Sequence, residues 1–419
     1  MIIVGFRTID DVDVLGKKVI VRVDLNSPVN PETGLVMDNR RFEAHAETLR
    51  RLAERGAKVI VLAHQGRKGD PEFTTLEEHS KLLARHMGRG VMYVPDIIGT
   101  RAEDAIKSMH SGDVILLANL RELDEESIDK SPEEHSRSPL VRKLSELADL
   151  YILDAFSVAH RSHASVVGFS RVLPSYAGDV MAKELNALSS TEVSKGKVIL
   201  LMGGNKPEEC VEVIDAYLSN NSTRLDKVLS CGVLGNLFLK VLGKKLGEPT
   251  EQYLEKKGLL KEIEKIENTA IILGNRLVTP LDVAFEKEGN RQEIAIEELP
   301  VHGMILDIGR KTGENFGEII TNASEDTSII MKGTPGVYER PEFRLGSKMI
   351  YEYLAKSRAF TFIGGGDSST ALQVLGINTM QYSYVSLGGG ALIRYLAGKP
   401  MPGIEALQSE QKVEVQRRR

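Results

Sequence analysis

The chain has 419 residues, 42% of them hydrophobic, so it can bury large cores and is long enough to divide into two or more domains. Its net charge of −5 gives no electrostatic footprint for nucleic acid, and no nucleic-acid partner is expected. Only Cys210 and Cys231 occur, in neither a metal-ligand nor a redox spacing. No apolar run approaches the ~18 residues of a membrane span, and Met1 to Thr8 lacks the basic start and long apolar core of a signal peptide; a cytoplasmic protein without membrane contact is expected.

In chain order, apolar runs that end in polar or glycine-rich clusters alternate with stretches of helical period. Val19 to Val23 leads into Asp24-Leu25-Asn26-Ser27-Pro28, and alternation along a strand puts Arg22, Asp24 and Asn26 on one side at its carboxyl end. Helical period runs from Arg41 to Gly56, followed by the apolar run Val59 to Ala63, which ends in His64 and Arg67, and by a second helical stretch from Thr75 to Met87. Val91 to Val94, Val114 to Ala118 and Tyr151 to Leu153 complete the strands of the first half, and charge-rich Glu122 to Arg137 reads as a solvated loop. Between Pro174 and Ser194, Met181, Leu185 and Leu188 recur at helical spacing, which predicts a connecting helix; a helix packed on one domain is the alternative. The rhythm resumes with Val198 to Met202, Lys227 to Ser230, Ala270 to Leu273, Met304 to Ile308, Thr327 to Met331, Ala359 to Ile363 and Tyr382 to Val385. Two doubly wound, Rossmann-like parallel-sheet α/β domains joined by a hinge helix follow from this pattern. The Arg417 to Arg419 tail reads as a frayed end.

The first half offers Asp24 and Asn26, His64 and Arg67, Arg121, and Asp154 with His160, Arg161 and His163 at its strand ends, and Arg41 begins a helix. A cationic cleft in an acidic protein suits a small polyanion carrying phosphate or carboxylate, groups that the planar guanidinium fork matches. A lone Arg or His is more often a surface or satisfied polar residue than a ligand; the two readings are close to even for His160 and His163, and no further ligand spacing accompanies them to suggest a metal. In the second half Gly364-Gly365-Gly366 leads into Asp367-Ser368-Ser369 and a helical run, a device that lets backbone approach phosphate at a helix start. Gly388-Gly389-Gly390 repeats it, although such loops are also common close-packing turns. Neither a Walker A sequence nor the protein-kinase loop set is present.

Taken together, Val19 to Pro28, Asp38-Asn39-Arg40-Arg41-Phe42, His64-Gln65-Gly66-Arg67, Asn119-Leu120-Arg121, Asp154-Ala155-Phe156 through His163, Gly203-Gly204-Asn205-Lys206, Gly333 to Glu339, Gly364 to Ser368 and Ser386 to Gly390 resemble the motifs of the phosphoglycerate kinase family, in that family's order. The resemblance runs from about Val19 to Gly403 and implies reversible phosphoryl transfer from 1,3-bisphosphoglycerate to Mg-ADP, giving 3-phosphoglycerate and Mg-ATP. It implies that Asp24, Leu25, Asn26, Arg41, His64, Gln65, Gly66, Arg67, Arg121 and Arg161 hold the triose phosphate. Lys206, Gly232, Lys332, Glu339, Gly365, Gly366, Asp367 and Ser368 would hold the nucleotide, with Asp367 on Mg2+ and with Arg41 and Lys206 as the catalytic cations. The implied domains are 1–173 with the returning segment from about 404 to 419, a hinge helix over 174–194, and 195–403. A monomer is expected, a dimer being left open.

The chain departs from the commonest family pattern at Cys210, where many members carry a lysine, and at Lys332, Leu387, Arg394 and Ala118. The pattern looks like that of the archaeal branch. Loss of a lysine at 210 and gain of one at 332 suggest a relocated charge, against the alternative that Lys332 points to solvent. Two rivals stay open at this point: a nucleotide-dependent oxidoreductase, although the glycine runs lack Gly-x-Gly-x-x-Gly spacing, and a catalytically silent metabolite-binding protein.

Overall fold

The computed structural model describes residues 6–30, 33–193, 196–220 and 222–408. The Arg417–Arg419 tail, Ser194 at the end of the expected hinge helix and the first five residues lie outside them.

The chain separates into two compact units. One runs to Asn186 and takes the chain back from Pro400, and the other spans Ala187–Lys399. In the first, β1 (Lys18–Arg22), β2 (Lys58–Leu62), β3 (Met92–Val94), β4 (Val114–Leu117), β5 (Leu150–Leu153) and β6 (Ser175–Ala177) form a six-stranded sheet in the order β3-β4-β2-β1-β5-β6. Every pairing in it is parallel. Parallel sheets are covered on both faces, and the β-branched run of β1 has Val19, Ile20 and Val21 all fully buried. Asn39 caps the helix Arg40–Glu54, whose apolar face of Phe42, Ala46, Leu49 and Leu52 joins Val19, Val21, Val59 and Val61 in one core.

In the second unit, β7 (Val198–Met202), β8 (Leu225–Ser230), β9 (Leu277–Val278), β10 (Asp282–Lys287), β11 (Asn290–Ala295), β12 (Ile305–Ile308), β13 (Ser328–Lys332), β14 (Phe360–Gly364) and β15 (Tyr384–Val385) divide between sheets. A parallel six-stranded sheet runs β15-β14-β13-β7-β8-β9, and a three-stranded antiparallel sheet runs β11-β10-β12. The two doubly wound parallel sheets are those the sequence pattern predicts.

Three local expectations are corrected and one is refined. Ala270 to Leu273 ends the helix Ile263–Leu273 instead of forming a strand: Ile266, Ala270 and Leu273 are buried at helical spacing while Ile271 and Ile272 are exposed, and the edge strand is β9. Met304 to Ile308 supplies β12, but in the antiparallel sheet, beside a hairpin whose two-residue turn, Glu288-Gly289, has positive φ at both positions (53° and 79°). The 174–194 stretch is not one helix; Ser175–Ala177 pairs with β5, and the helix is Asp179–Val193, with the division between the units falling inside it. Glu122 to Arg137 is mostly exposed, as expected, but it contains the short helical turns Asp124–Glu126 and Pro132–His135 and is anchored by buried Glu126 and His135; Glu126 accepts hydrogen bonds from Ser165 N and Oγ at 2.5 and 2.7 Å, and His135 contacts the Ser162 carbonyl at 2.7 Å.

Candidate active site

In the first unit the expected polar residues lie beyond the carboxyl ends of β1, β2, β4 and β5, where an open α/β sheet binds ligands. Asn39 sets Arg41 by accepting its backbone N–H at 2.9 Å. Arg41 Nη1 then reaches the Asp24 carboxylate at 2.9 Å and the Asn26 carbonyl at 2.7 Å, leaving the Nε and Nη2 edge of the guanidinium without a partner among the described residues. Burial pushes the Asp24 carboxyl up, but Arg41, the Ser157 hydroxyl and the Asn26 backbone N–H outweigh it and hold the group ionised, well below the usual carboxylate range.

His64 Nδ1 lies 3.1 Å from Arg22 Nη2. A guanidinium only donates, so Nδ1 accepts and His64 is neutral, with its N–H on Nε2. Burial and the neighbouring Arg22 push its pKa well down, and Arg121 and Arg161 add to the effect. Arg22 itself is buried, tied through Nε to Ser165 Oγ at 2.8 Å. Asn119 binds the loops after β2 and β4 together: its Oδ1 accepts from Gln65 N and Arg121 N, each at 3.1 Å, and its Nδ2 donates to Gln65 O at 2.8 Å. Burial lowers Arg121 to about 10, and Arg161, Arg22 and Arg67 press it in the same direction. Arg161 is lowered by burial and then by Arg22 and Arg67 among others. Burial with Arg121 and Arg161 likewise holds His163 down at about 3, so it is neutral. These cations are thus held close enough to repel one another, a field preorganised for an anion.

Leu25 and Gln65 do not reach this space with their side chains. Leu25 is fully buried. Gln65 uses its whole amide inside the protein: Oε1 accepts from Ser27 N at 2.9 Å and His79 Nε2 at 3.0 Å, and Nε2 donates to Ser27 O at 2.8 Å and Glu72 O at 3.0 Å. The two therefore shape the loops from below, and Gly66 N, donating to Asn26 Oδ1 at 2.8 Å, fixes Asn26. Arg67 is exposed at the rim.

In the second unit the glycine-rich ends of β7, β13 and β14 come together. Lys332, the last residue of β13, stands in register between Met202 and Gly364. It does not point to solvent: its side chain is 8% exposed, with Nζ 3.0 Å from Glu209 Oε2 and 3.3 Å from the Lys206 carbonyl. Burial works against this ammonium, but the Glu209 carboxylate beside it favours the charged form and its pKa is raised. Lys206 is largely exposed and reaches Glu209 Oε1 at 3.5 Å. Gly232, at φ 56°, opens the helix Gly232–Val241 so close to the β7 loop that a Cβ would lie 2.7 Å from Gly204 N. Gly365 precedes the helix Gly366–Val374; Asp367 is exposed at its start, and Ser368 is buried, its Oγ accepting from Gly333 N at 3.1 Å.

Beside these loops is a pocket of about 350 Å³, lined on its apolar side by Val233, Leu254, Val283, Met304, Leu306 and Val337, with Gly204, Gly232, Glu339 and Asp367 among its polar and glycine positions. An apolar body with a polar, glycine-edged mouth suits a flat heterocycle carrying phosphate. The sequence reading missed this apolar lining, because its members come from separate helices and from the antiparallel sheet and share no local motif.

The family model for phosphoglycerate kinase matches residues 9–399. The chain is 38% identical over 408 residues to a phosphoglycerate kinase of Methanothermus fervidus, covering 97% of this chain and 98% of that one. It is 40% identical over 402 residues to that of Sulfurisphaera tokodaii, covering 95% of each. It is also similar to the crystal structure of phosphoglycerate kinase from Pyrococcus horikoshii OT3, with a TM-score of 0.90 at 36% identity, covering 97% of this chain and 100% of that one.

Proposed function

The chain belongs to the phosphoglycerate kinase family, and from that premise we propose that its arginine cluster holds the triose phosphate and its glycine-edged pocket holds the nucleotide. It is a phosphotransferase of glycolysis, and the oxidoreductase and silent-binder readings are not favoured. The observation that carries the assignment is that Arg41, Arg67, Arg121 and Arg161 all follow carboxyl ends of the first sheet, with Arg121 buried there at 8% exposure, a set of guanidinium groups that fits a phosphate.

The acceptor on the glycerate side is a carboxylate, already ionised at neutral pH, so transfer requires no general base. His64, neutral with its N–H on Nε2, fits a hydrogen-bond donor to the triose better than a proton acceptor. The remaining work is positioning and stabilising charge on the transferring phosphoryl oxygens. Arg41, with one guanidinium edge unused, serves this from the triose side, and exposed Lys206 from the nucleotide side.

Mg2+ keeps several waters and takes one or two carboxylates together with substrate phosphates. Exposed Asp367 at a helix start fits such an ion arriving with the nucleotide, and Glu339 fits the ribose side of the pocket. The ion would neutralise phosphate charge. Free, buried Cys210 and Cys231 accord with a reducing cytoplasm. No helix among the described residues is long and apolar enough to cross a membrane.

A coupled assay of ATP formation from 1,3-bisphosphoglycerate and Mg-ADP tests the assignment. Turnover is expected with wild type and should be lost when Arg121 and Arg161 are both replaced by Ala. Full turnover in that double variant would remove the arginine cluster from the site.

A further inference from the structure

Glu209 lies in the first turn of the helix Pro207–Asn220, and its carboxylate is shared between two ammonium groups. Oε1 is 3.5 Å from Lys206 Nζ and Oε2 is 3.0 Å from Lys332 Nζ. Among the described residues no other carboxylate pairs with either of them: the Cys210 thiol is buried, which pushes it up to about 11 and keeps it uncharged, and the Lys206 carbonyl that Lys332 also meets carries only a dipole. A buried ammonium left without a counter-charge is costly, so the carboxylate has a clear role in the ligand-free protein.

The same two ammonium groups border the loops that precede the helix Gly366–Val374 and follow β7, where an anion would enter. A phosphate reaching both lysines would meet the Glu209 carboxylate already in place, and two anions cannot occupy that position without repulsion. The Glu209 side chain is 29% exposed, so it has a way out to water that Lys332, at 8%, lacks.

We propose that Glu209 is a resident stand-in for the terminal phosphate of a nucleoside di- or triphosphate: it clamps Lys206 and Lys332 in the empty site and is displaced when that phosphate binds. Glu209 is thereby a positioning residue that weakens nucleotide binding while holding both cations in place. The inference rests on the assignment of this pocket to the nucleotide.

Titration calorimetry with ADP and AMP on wild type, Glu209→Gln, Lys206→Met, Lys332→Met and the Glu209→Gln/Lys332→Met pair tests it. Glu209→Gln is expected to bind ADP at least ~5-fold more tightly, within the usual range of coupling between two sites, and to leave AMP unchanged, since AMP lacks the terminal phosphate. The gain should shrink when Lys332 is already Met. If Lys206→Met weakens ADP but Glu209→Gln leaves it unchanged or weaker, the clamp is overturned and the nucleotide assignment stands. If ADP is indifferent to both changes, the assignment falls and the clamp with it. Should Glu209→Gln fail to fold, Glu209→Asp, too short to span both ammonium groups, is expected to tighten ADP as well, and wild-type affinity there overturns the idea.

Discussion

Arg41 gives one nitrogen to Asp24 and Asn26 and keeps its other edge unpartnered, an arrangement that fixes the guanidinium before any ligand arrives. If that edge serves mainly the charge that develops during transfer, Arg41→Ala should lower kcat by ~100-fold or more and change the KM for 3-phosphoglycerate far less. Steady-state kinetics separates the outcomes; unchanged kcat with a raised KM would make Arg41 a binding group only. A second residue-scale effect concerns His79, fully buried, whose Nε2 must donate to Gln65 Oε1 because that oxygen also accepts from Ser27. Nδ1 has no partner among the described residues, and burial holds the pKa at about 4. The unfolded chain takes up this proton near pH 6.5, so the contribution to stability is whole above that pH and lost as pH falls towards 4. Between pH 7 and 5 wild type should lose about 2 kcal/mol more than His79→Gln in urea unfolding. Equal losses would clear His79 as a source of acid sensitivity.

Among the elements, the loop after β2 carries the heaviest geometric constraint. Gly66 has φ 62°, and a Cβ there would lie 2.7 Å from the backbone of Glu72 and Phe73; Gly69, at φ 95°, would meet nothing within 4 Å. Gly69→Ala should therefore cost about 1 to 2 kcal/mol of backbone strain, and Gly66→Ala that amount plus a further ~1 to 3 kcal/mol for the clash. Because Gly66 N holds Asn26, only Gly66→Ala should also raise the KM for 3-phosphoglycerate. Unfolding curves and kinetics on the two variants check this, and equal behaviour would show that the loop gives way freely.

For the whole molecule, the proposed ligand sets fall in different units, joined through the Asp179–Val193 helix and again where the chain returns at Pro400. Transfer needs the reacting oxygen and phosphorus within about 3 to 3.5 Å, so both ligands must be brought together before reaction, with water excluded from the acyl phosphate. Small-angle scattering should therefore record a smaller radius with 3-phosphoglycerate and nucleotide together than with either alone. An unchanged radius with both bound would count against closure as the gate.

The amino-acid sequence by itself determined the two parallel sheets, because short apolar runs such as Val19 to Val23 and Val198 to Met202, recurring between stretches of helical period, have few other ways to be buried on both faces. It also located the polar strand ends, since Asp24 and His64 follow an apolar run directly and Arg121 comes three residues after one, so local spacing is enough to find them. Three-residue β6 and the β10–β11 hairpin were not legible, the first too short to show a period and the second turning on Glu288 where Asn or Asp would have signalled it. Only tertiary contacts decided that Gln65 is saturated by Ser27, Glu72 and His79, that apolar residues from distant segments make one pocket, and that Lys332 is buried against Glu209. Local period reports which face a residue occupies, whereas the partner it meets there is set by how strands far apart in the chain pair and pack.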